Sequence, residues 1–268
     1  MEENIISVKN LTKKFGNFTA VDDISFDVKE KEIFAFLGPN GAGKSTTIKM
    51  LITLLEPTSG KAFIDNFNFT ENPAEVRKSI GYVPQMISVD GTLTAYENMM
   101  LMASLYDVPR KERRQRILEI LHFLKLEKFS DTLVRNFSGG MIRKLEIGQA
   151  MLHHPPVLFL DEPTTGLDPI GRQDVWKHLL ELRDKFGTTI FFTTHYMEEA
   201  EDVSDRVAVM NLGKLAVIGT ADELKSKTNK PNATLDDAFI FFTGGDSLQE
   251  RGNFRDIRKA RANERKLG

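Results

Sequence analysis

Apolar residues recur along this chain with different periods, and each period predicts a different element. Between residues 18 and 28 apolar side chains at Val21, Ile24, Phe26 and Val28 alternate with polar ones, and residues 4–9 have the same character. Two strands with one buried face are expected there, an antiparallel β element ahead of the rest. Short unbroken apolar runs follow at Ile33-Phe34-Ala35-Phe36-Leu37, Val157-Leu158-Phe159-Leu160 and Thr188-Thr189-Ile190-Phe191-Phe192. Runs of this length between polar residues mark parallel strands buried on both faces. Helical spacing appears after Ser45 through Ile48, Leu51, Leu54 and Leu55, and again at about 93–106, 110–124, 139–153 and 170–186. Weaker strand signals lie at 61–65 and 80–83, and Leu212-Gly213-Lys214 joins a strand at 206–210 to one at 214–218 as a hairpin. The pattern predicts an α/β fold with an inserted helical segment. The expected organisation is a core formed by 1–91 and 146–230, a helical subdomain at 92–145, and a small C-terminal element at 231–268 around the apolar run Phe239-Ile240-Phe241-Phe242.

The first buried strand runs straight into Gly38-Pro39-Asn40-Gly41-Ala42-Gly43-Lys44-Ser45-Thr46, and a helix starts at once. Strand, GxxxxGK[ST] loop and helix in that order form a phosphate-binding loop: glycines let the backbone wrap a polyphosphate, with its N–H groups and the helix N-terminus facing the charge. Lys44 then reaches the β- and γ-phosphates, and the Ser45 hydroxyl is available to Mg²⁺. ATP is the expected ligand, with Gly38, Asn40, Gly41, Gly43, Lys44, Ser45 and Thr46 as its binding positions. The core is therefore expected to be a P-loop NTPase.

Composition removes several other functions. The chain has 268 residues, 41% of them apolar, enough for one large domain or a domain with a smaller lobe. A formal net charge of −2 argues against nucleic acid or an anionic membrane as the main partner. With no cysteine, disulfides, thiolate metal sites and thiol redox switches are excluded. The start Met1-Glu2-Glu3-Asn4 is acidic where a secretory signal would be basic, and no apolar run approaches the ~18 residues of a membrane span. Any membrane attachment is expected through a partner. From Gly244 onward seven basic residues face four acidic ones, which reads as a solvated tail rather than a lipid or partner contact.

Two more constellations carry chemistry. The run Val157–Leu160 ends in Asp161-Glu162. Asp161 at the strand end suits Mg²⁺, and Glu162 suits activation of the water that attacks a γ-phosphate. Ser138-Gly139-Gly140 precedes an amphipathic helix, where Ser138 is a natural N-cap and the glycines leave backbone N–H groups open to an anion.

This ordered set resembles the nucleotide-binding subunit of an ATP-binding cassette (ABC) transporter, over residues 4 to 243. Walker A matches 38–46, the Q-loop Gln85, the signature Phe137-Ser138-Gly139-Gly140-Met141, Walker B 157–161 followed by Glu162, the D-loop Gly166-Leu167-Asp168, and the switch histidine His195. The resemblance implies a RecA-like P-loop core with an N-terminal antiparallel β subdomain and an inserted α-helical subdomain. It also implies two copies closing head to tail as a homodimer, with each ATP between one Walker A and the other chain's Ser138, Gly139 and Gly140. Glu162 is then the base, His195 and Lys44 act on the γ-phosphate, Asp168 joins the nucleotide site, and Ser45, Gln85 and Asp161 hold Mg²⁺. Phe15, where tyrosine is more usual, stacks on adenine. Met141 stands where the signature commonly has glutamine and lacks its amide. Histidines 122, 153, 154 and 178 match no motif and read as surface or packing residues.

The segments Arg143-Lys144-Leu145-Glu146-Ile147, Asp161 to Pro169, Thr194 to Ala200 and Thr234 to Phe239 are most similar to ATPases of daunorubicin-type drug-resistance exporters. Those pair with a separate integral membrane permease at the cytoplasmic face of the membrane. Relatives that move sodium, lipids or polysaccharides share the pattern, so the substrate is left open. A soluble ABC ATPase uncoupled from transport and a nucleotide-gated regulatory subunit are the alternatives. Met86, beside Gln85, is a candidate contact for the membrane partner.

Overall fold

The computed structural model describes residues 4–244. The basic tail beyond Gly244 lies outside them. In chain order the elements are β1 (Asn4–Phe15), β2 (Phe18–Lys29), β3 (Ile33–Leu37), α1 (Lys44–Leu51), β4 (Ser59–Ile64), β5 (Phe67–Asn68), α2 (Pro73–Ser79), β6 (Ile80–Val83), α3 (Ala95–Leu105), α4 (Arg110–Phe123) and α5 (Gly139–Met151). They continue with β7 (Val157–Asp161), α6 (Pro169–Phe186), β8 (Thr189–Thr194), α7 (Met197–Val203), β9 (Arg206–Asn211), β10 (Lys214–Gly219), α8 (Ala221–Ser226) and α9 (Leu235–Thr243). The described residues form two compact units, one of residues 4–73 with 193–244 and one of residues 74–192, the division falling inside β8.

The first unit opens with the expected antiparallel sheet, ordered β2-β1-β4-β5. Its alternation is visible in β2, where Ile24, Phe26 and Val28 are buried while Ser25, Asp27 and Lys29 are exposed. The longer β1 passes through the polar stretch Lys9 to Lys14, where periodicity gave no signal because the register with β2 shifts between Val8 and Leu11 and again before Lys13. Asn10 at φ 50° and Asp23 at φ 53° sit at that irregularity. The Asn10 side chain donates to Asp23 at 2.9 Å, which compensates for broken ladder bonds. All five residues of β3 are buried. It runs parallel to β9, with Ala35 opposite Val207 and Leu37 opposite Val209, and β10 returns antiparallel as the predicted hairpin. Phe26 of β2 stacks on Phe34 of β3 at 5.6 Å, tying sheet to strand.

In the second unit β6 and β7 pair in parallel, with Gly81 opposite Leu158, and β8 follows β7. Phe159 and Phe191 meet across these strands at 5.3 Å. The helix α5 lies against β6 at Gly81, where a Cβ would stand 2.4 Å from the Ala150 carbonyl oxygen. On its other side α5 meets α4 at Gly148, whose Cβ would stand 2.6 Å from Leu124. α3 starts at a capping box formed by Thr94 and Glu97. The buried Asn98 then closes the approach to α3 by donating to the Asp90 and Thr94 carbonyls at 2.9 and 3.0 Å. The short α2, β5, α7 and α8 carried no period long enough to predict them.

Candidate active site

In the first unit the buried strand β3 delivers the chain into the glycine loop. Gly41 and Gly43 have φ of 87° and 106°, values open to glycine and costly for other residues. Gly38 and Gly43 are further required by Met210 of β9: a Cβ on Gly38 would stand 2.3 Å from the Met210 oxygen. The β9–β10 tip supports the loop from beneath, Gly213 N–H donating to the Ala42 carbonyl at 3.0 Å. Lys44, 4% exposed, folds inward and donates to the Gly38 and Pro39 carbonyls at 2.7 and 3.2 Å. Its ammonium thus lies within the curl of the loop. No acidic residue occupies the first turn of α1, and the positive end of its peptide dipoles favours an anion. Asn40 and Gly41 are exposed, Ser45 is half-buried and Thr46 buried.

His195 follows β8, and its neighbour Thr194 accepts Gly38 N–H at 3.3 Å through its carbonyl, which brings the start of the glycine loop to the strand end that carries the histidine. Thr194 Oγ1 accepts Tyr196 N–H at 3.0 Å and donates to the buried Glu199 at 3.1 Å. The half-buried His195 ring leans on Tyr196 with centroids 4.2 Å apart. Phe15 closes the β1–β2 hairpin beside Gly16 and is half-buried, with Lys13 Nζ 4.9 Å above its ring.

In the second unit β7 ends in Asp161, 3% exposed, and Glu162, 6% exposed. Glu162 takes a left-handed backbone, φ 49°, directly after the strand. A non-glycine residue there is strained by an amount on the order of 1 kcal/mol, and such strain gathers at functional sites. Partners of the carboxylate include Gln85 and Thr165: Oε2 accepts from Gln85 Nε2 at 3.1 Å and from Thr165 Oγ1 at 3.1 Å. Sequence reasoning named Gln85 and Glu162 separately and missed their contact, since no local pattern links residues 77 positions apart, and it assigned no role to the Thr165 hydroxyl, three residues from Glu162. Burial and the nearby Asp161 carboxylate together push the Tyr82 hydroxyl up to about 12.

Ser138 caps α5 as expected, accepting Met141 N–H at 3.3 Å. Asp168 likewise caps α6, accepting Gly171 N–H at 2.9 Å. Ser138 and Gly139 are exposed, Gly140 and Met141 half-buried, and the first turn of α5 has no acidic residue. Buried His178 packs edge-on against Phe123, and His153 stacks on Tyr106, the packing roles expected of them.

A buried strand feeding a glycine loop with an inward lysine, and a second strand ending in paired carboxylates, define a P-loop nucleotide-binding ATPase domain. The model of the family "ABC transporter" matches residues 21–165, and the chain belongs to that family. It is 39% identical over 241 residues to the probable multidrug ABC transporter ATP-binding protein YbhF of Escherichia coli, covering 89% of this chain and 41% of YbhF. The chain therefore spans about two fifths of the length of that relative. It is 42% identical over 221 residues to the daunorubicin/doxorubicin resistance ATP-binding protein DrrA of Streptomyces peucetius, covering 82% of this chain and 67% of DrrA. Among solved structures, the dimeric post-hydrolysis state of the ATP-binding cassette MJ0796 bound to ADP and Pi aligns with TM-score 0.71 and 29% identity, over 80% of this chain and 98% of that one.

Proposed function

We propose that this chain is the ATP-hydrolysing subunit of a multisubunit ABC exporter, moving a drug, lipid or polysaccharide through a separate membrane permease. The observation that carries the reading is the buried Glu162 carboxylate, strained at φ 49° and oriented by Gln85 and Thr165. A carboxylate that is buried, strained and oriented by neighbouring hydrogen bonds suits a general base that must address one water.

Lys44 and the loop N–H groups hold the β- and γ-phosphates and spread the charge that grows on the leaving oxygen. Glu162 accepts a proton from the attacking water as its oxygen bonds the γ-phosphorus. The bond to the bridging oxygen breaks, releasing ADP and phosphate. His195 positions the γ-phosphate and that water, and Phe15 stacks on adenine, a contact of about 1–3 kcal/mol. Ser45, Asp161 and Gln85 offer a hydroxyl, a carboxylate and an amide oxygen, the hard oxygen set that fits Mg²⁺. Mg²⁺ held there would neutralise phosphate charge.

Ser138, Gly139 and Gly140 act on the ATP of a second copy in a head-to-tail homodimer, and Asp168 orders the segment between that surface and Glu162. Support comes from Gly140: its nearest neighbour to an added Cβ is 3.7 Å away, so the fold itself does not demand glycine there. An approaching phosphate would. Closure of the dimer on two ATP drives the permease, which holds this subunit at the cytoplasmic face of the membrane.

Glu162→Gln keeps the shape and removes the base. Phosphate release is expected to fall by about 10²–10⁴-fold while ATP binding and ATP-dependent dimerisation persist. Turnover at the wild-type rate would overturn the assignment.

A further inference from the structure

Residues Pro84 to Ser88 follow β6 and bury little of themselves: Met86 is 82% and Ile87 62% exposed. Yet Gln85, within this stretch, holds an oxygen of Glu162 at 3.1 Å. Backbone with so little packing needs another restraint to keep one side chain on one atom.

That restraint is on α5. Arg143 and Glu146 are 5% and 2% exposed, and Arg143 Nη1 lies 2.9 Å from Glu146 Oε2 one turn along the helix. The guanidinium also donates to the Pro84 carbonyl at 2.8 Å and the Gln85 carbonyl at 3.1 Å. The carboxylate accepts the Ser88 N–H at 2.6 Å and the Ser88 hydroxyl at 2.9 Å. One ion pair thus grips both ends of the stretch, its cation on the carbonyls before Met86 and its anion on the donors after Ile87. Two charges this buried lose hydration that a pair of apolar side chains would not need, so net stability is a weak account of them. Fixed geometry at the Gln85 backbone is the stronger one.

We infer that Arg143 and Glu146 are positioning residues for hydrolysis, acting through the Gln85 backbone to keep the Gln85 amide on Glu162. The inference rests on Glu162 being the base. It also gives the helix that begins at Ser138 a direct mechanical link to the carboxylate of its own chain.

The test replaces the pair by apolar residues of similar volume, Arg143→Met with Glu146→Leu, in wild-type and Gln85→Ala backgrounds. The expected result is an unchanged melting temperature, KM for ATP within about twofold, and kcat lower by about tenfold to a hundredfold. In the Gln85→Ala background the pair replacement is expected to cause no further loss, because both changes break one chain of contacts. Additive losses, or an unchanged kcat, would overturn the inference. If the double variant does not fold, Glu146→Gln serves instead: kcat falls and amide hydrogens of residues 86–88 exchange faster, and wild-type exchange with wild-type kcat rejects the link. Glu162→Gln measured alongside keeps the two questions apart, since full turnover there rejects the base itself, whereas its normal loss with additive pair effects rejects only the positioning role.

Discussion

At the scale of the residue, glycine does two different jobs in this chain, and substitution separates them. Gly43 is held at φ 106°, and a Cβ on it would stand 2.5 Å from the Ala20 oxygen and 2.6 Å from Met210 Cε. Gly43→Ala is therefore expected to cost about 1–3 kcal/mol in urea unfolding and to abolish nucleotide binding. Gly140 lies in the first turn of α5 with room around it. Gly140→Ala is expected to leave stability unchanged, or raise it by up to about 1 kcal/mol, while phosphate release falls. A matching loss of stability at both positions would assign Gly140 to the fold. The glycine loop was legible as a motif because its chemistry is local: positive φ, exposed N–H groups and one lysine lie within a few residues. Thr165 was not, since a hydroxyl in a turn has no signature until the carboxylate it meets is placed.

At the scale of the element, α5 joins packing to chemistry. Ser138 starts it, Arg143 and Glu146 hold residues 84–88, and Gly148 admits α4 against its side. Just past its end, His153 donates its Nε2–H to the Ile80 carbonyl at 2.9 Å and stacks on Tyr106. Burial first, and then the charges of His154 and Arg116, hold the His153 imidazole below its ordinary value, against an opposing bond to the Ile80 carbonyl. As pH falls through the unfolded-state value near about 6.5, the unfolded chain takes up this proton before the folded one, so stability drops with acid. Unfolding free energy is expected to decline from pH 7 to pH 5, and His153→Gln to flatten that slope; an identical slope in the variant would remove His153 as its source. Periodicity predicted α3 to α6 because each repeats apolar positions over three turns or more. It could not predict α2, α7 or α8, whose stability comes from the surfaces they cover rather than from their own short sequence.

At the scale of the whole molecule, the described residues hold no helix long and apolar enough to cross a membrane, and the chain carries a formal net charge of −2. On the proposed function, the chain made alone is expected to stay in the bottom fraction when anionic lipid vesicles are floated, and to sediment with membranes when its permease is present. Flotation of the lone chain with lipid would show attachment without a partner. By itself the sequence determined most of the strands, the long helices, the phosphate loop and the carboxylate pair, because each depends on contacts within one period or one turn. Only tertiary structure decided that Gln85 reaches Glu162, that a buried pair on α5 sets the backbone beneath Gln85, and that Gly81 must admit that helix. Those contacts join residues tens of positions apart, and their geometry follows from how helix and strand pack, which no local spacing of residue types encodes.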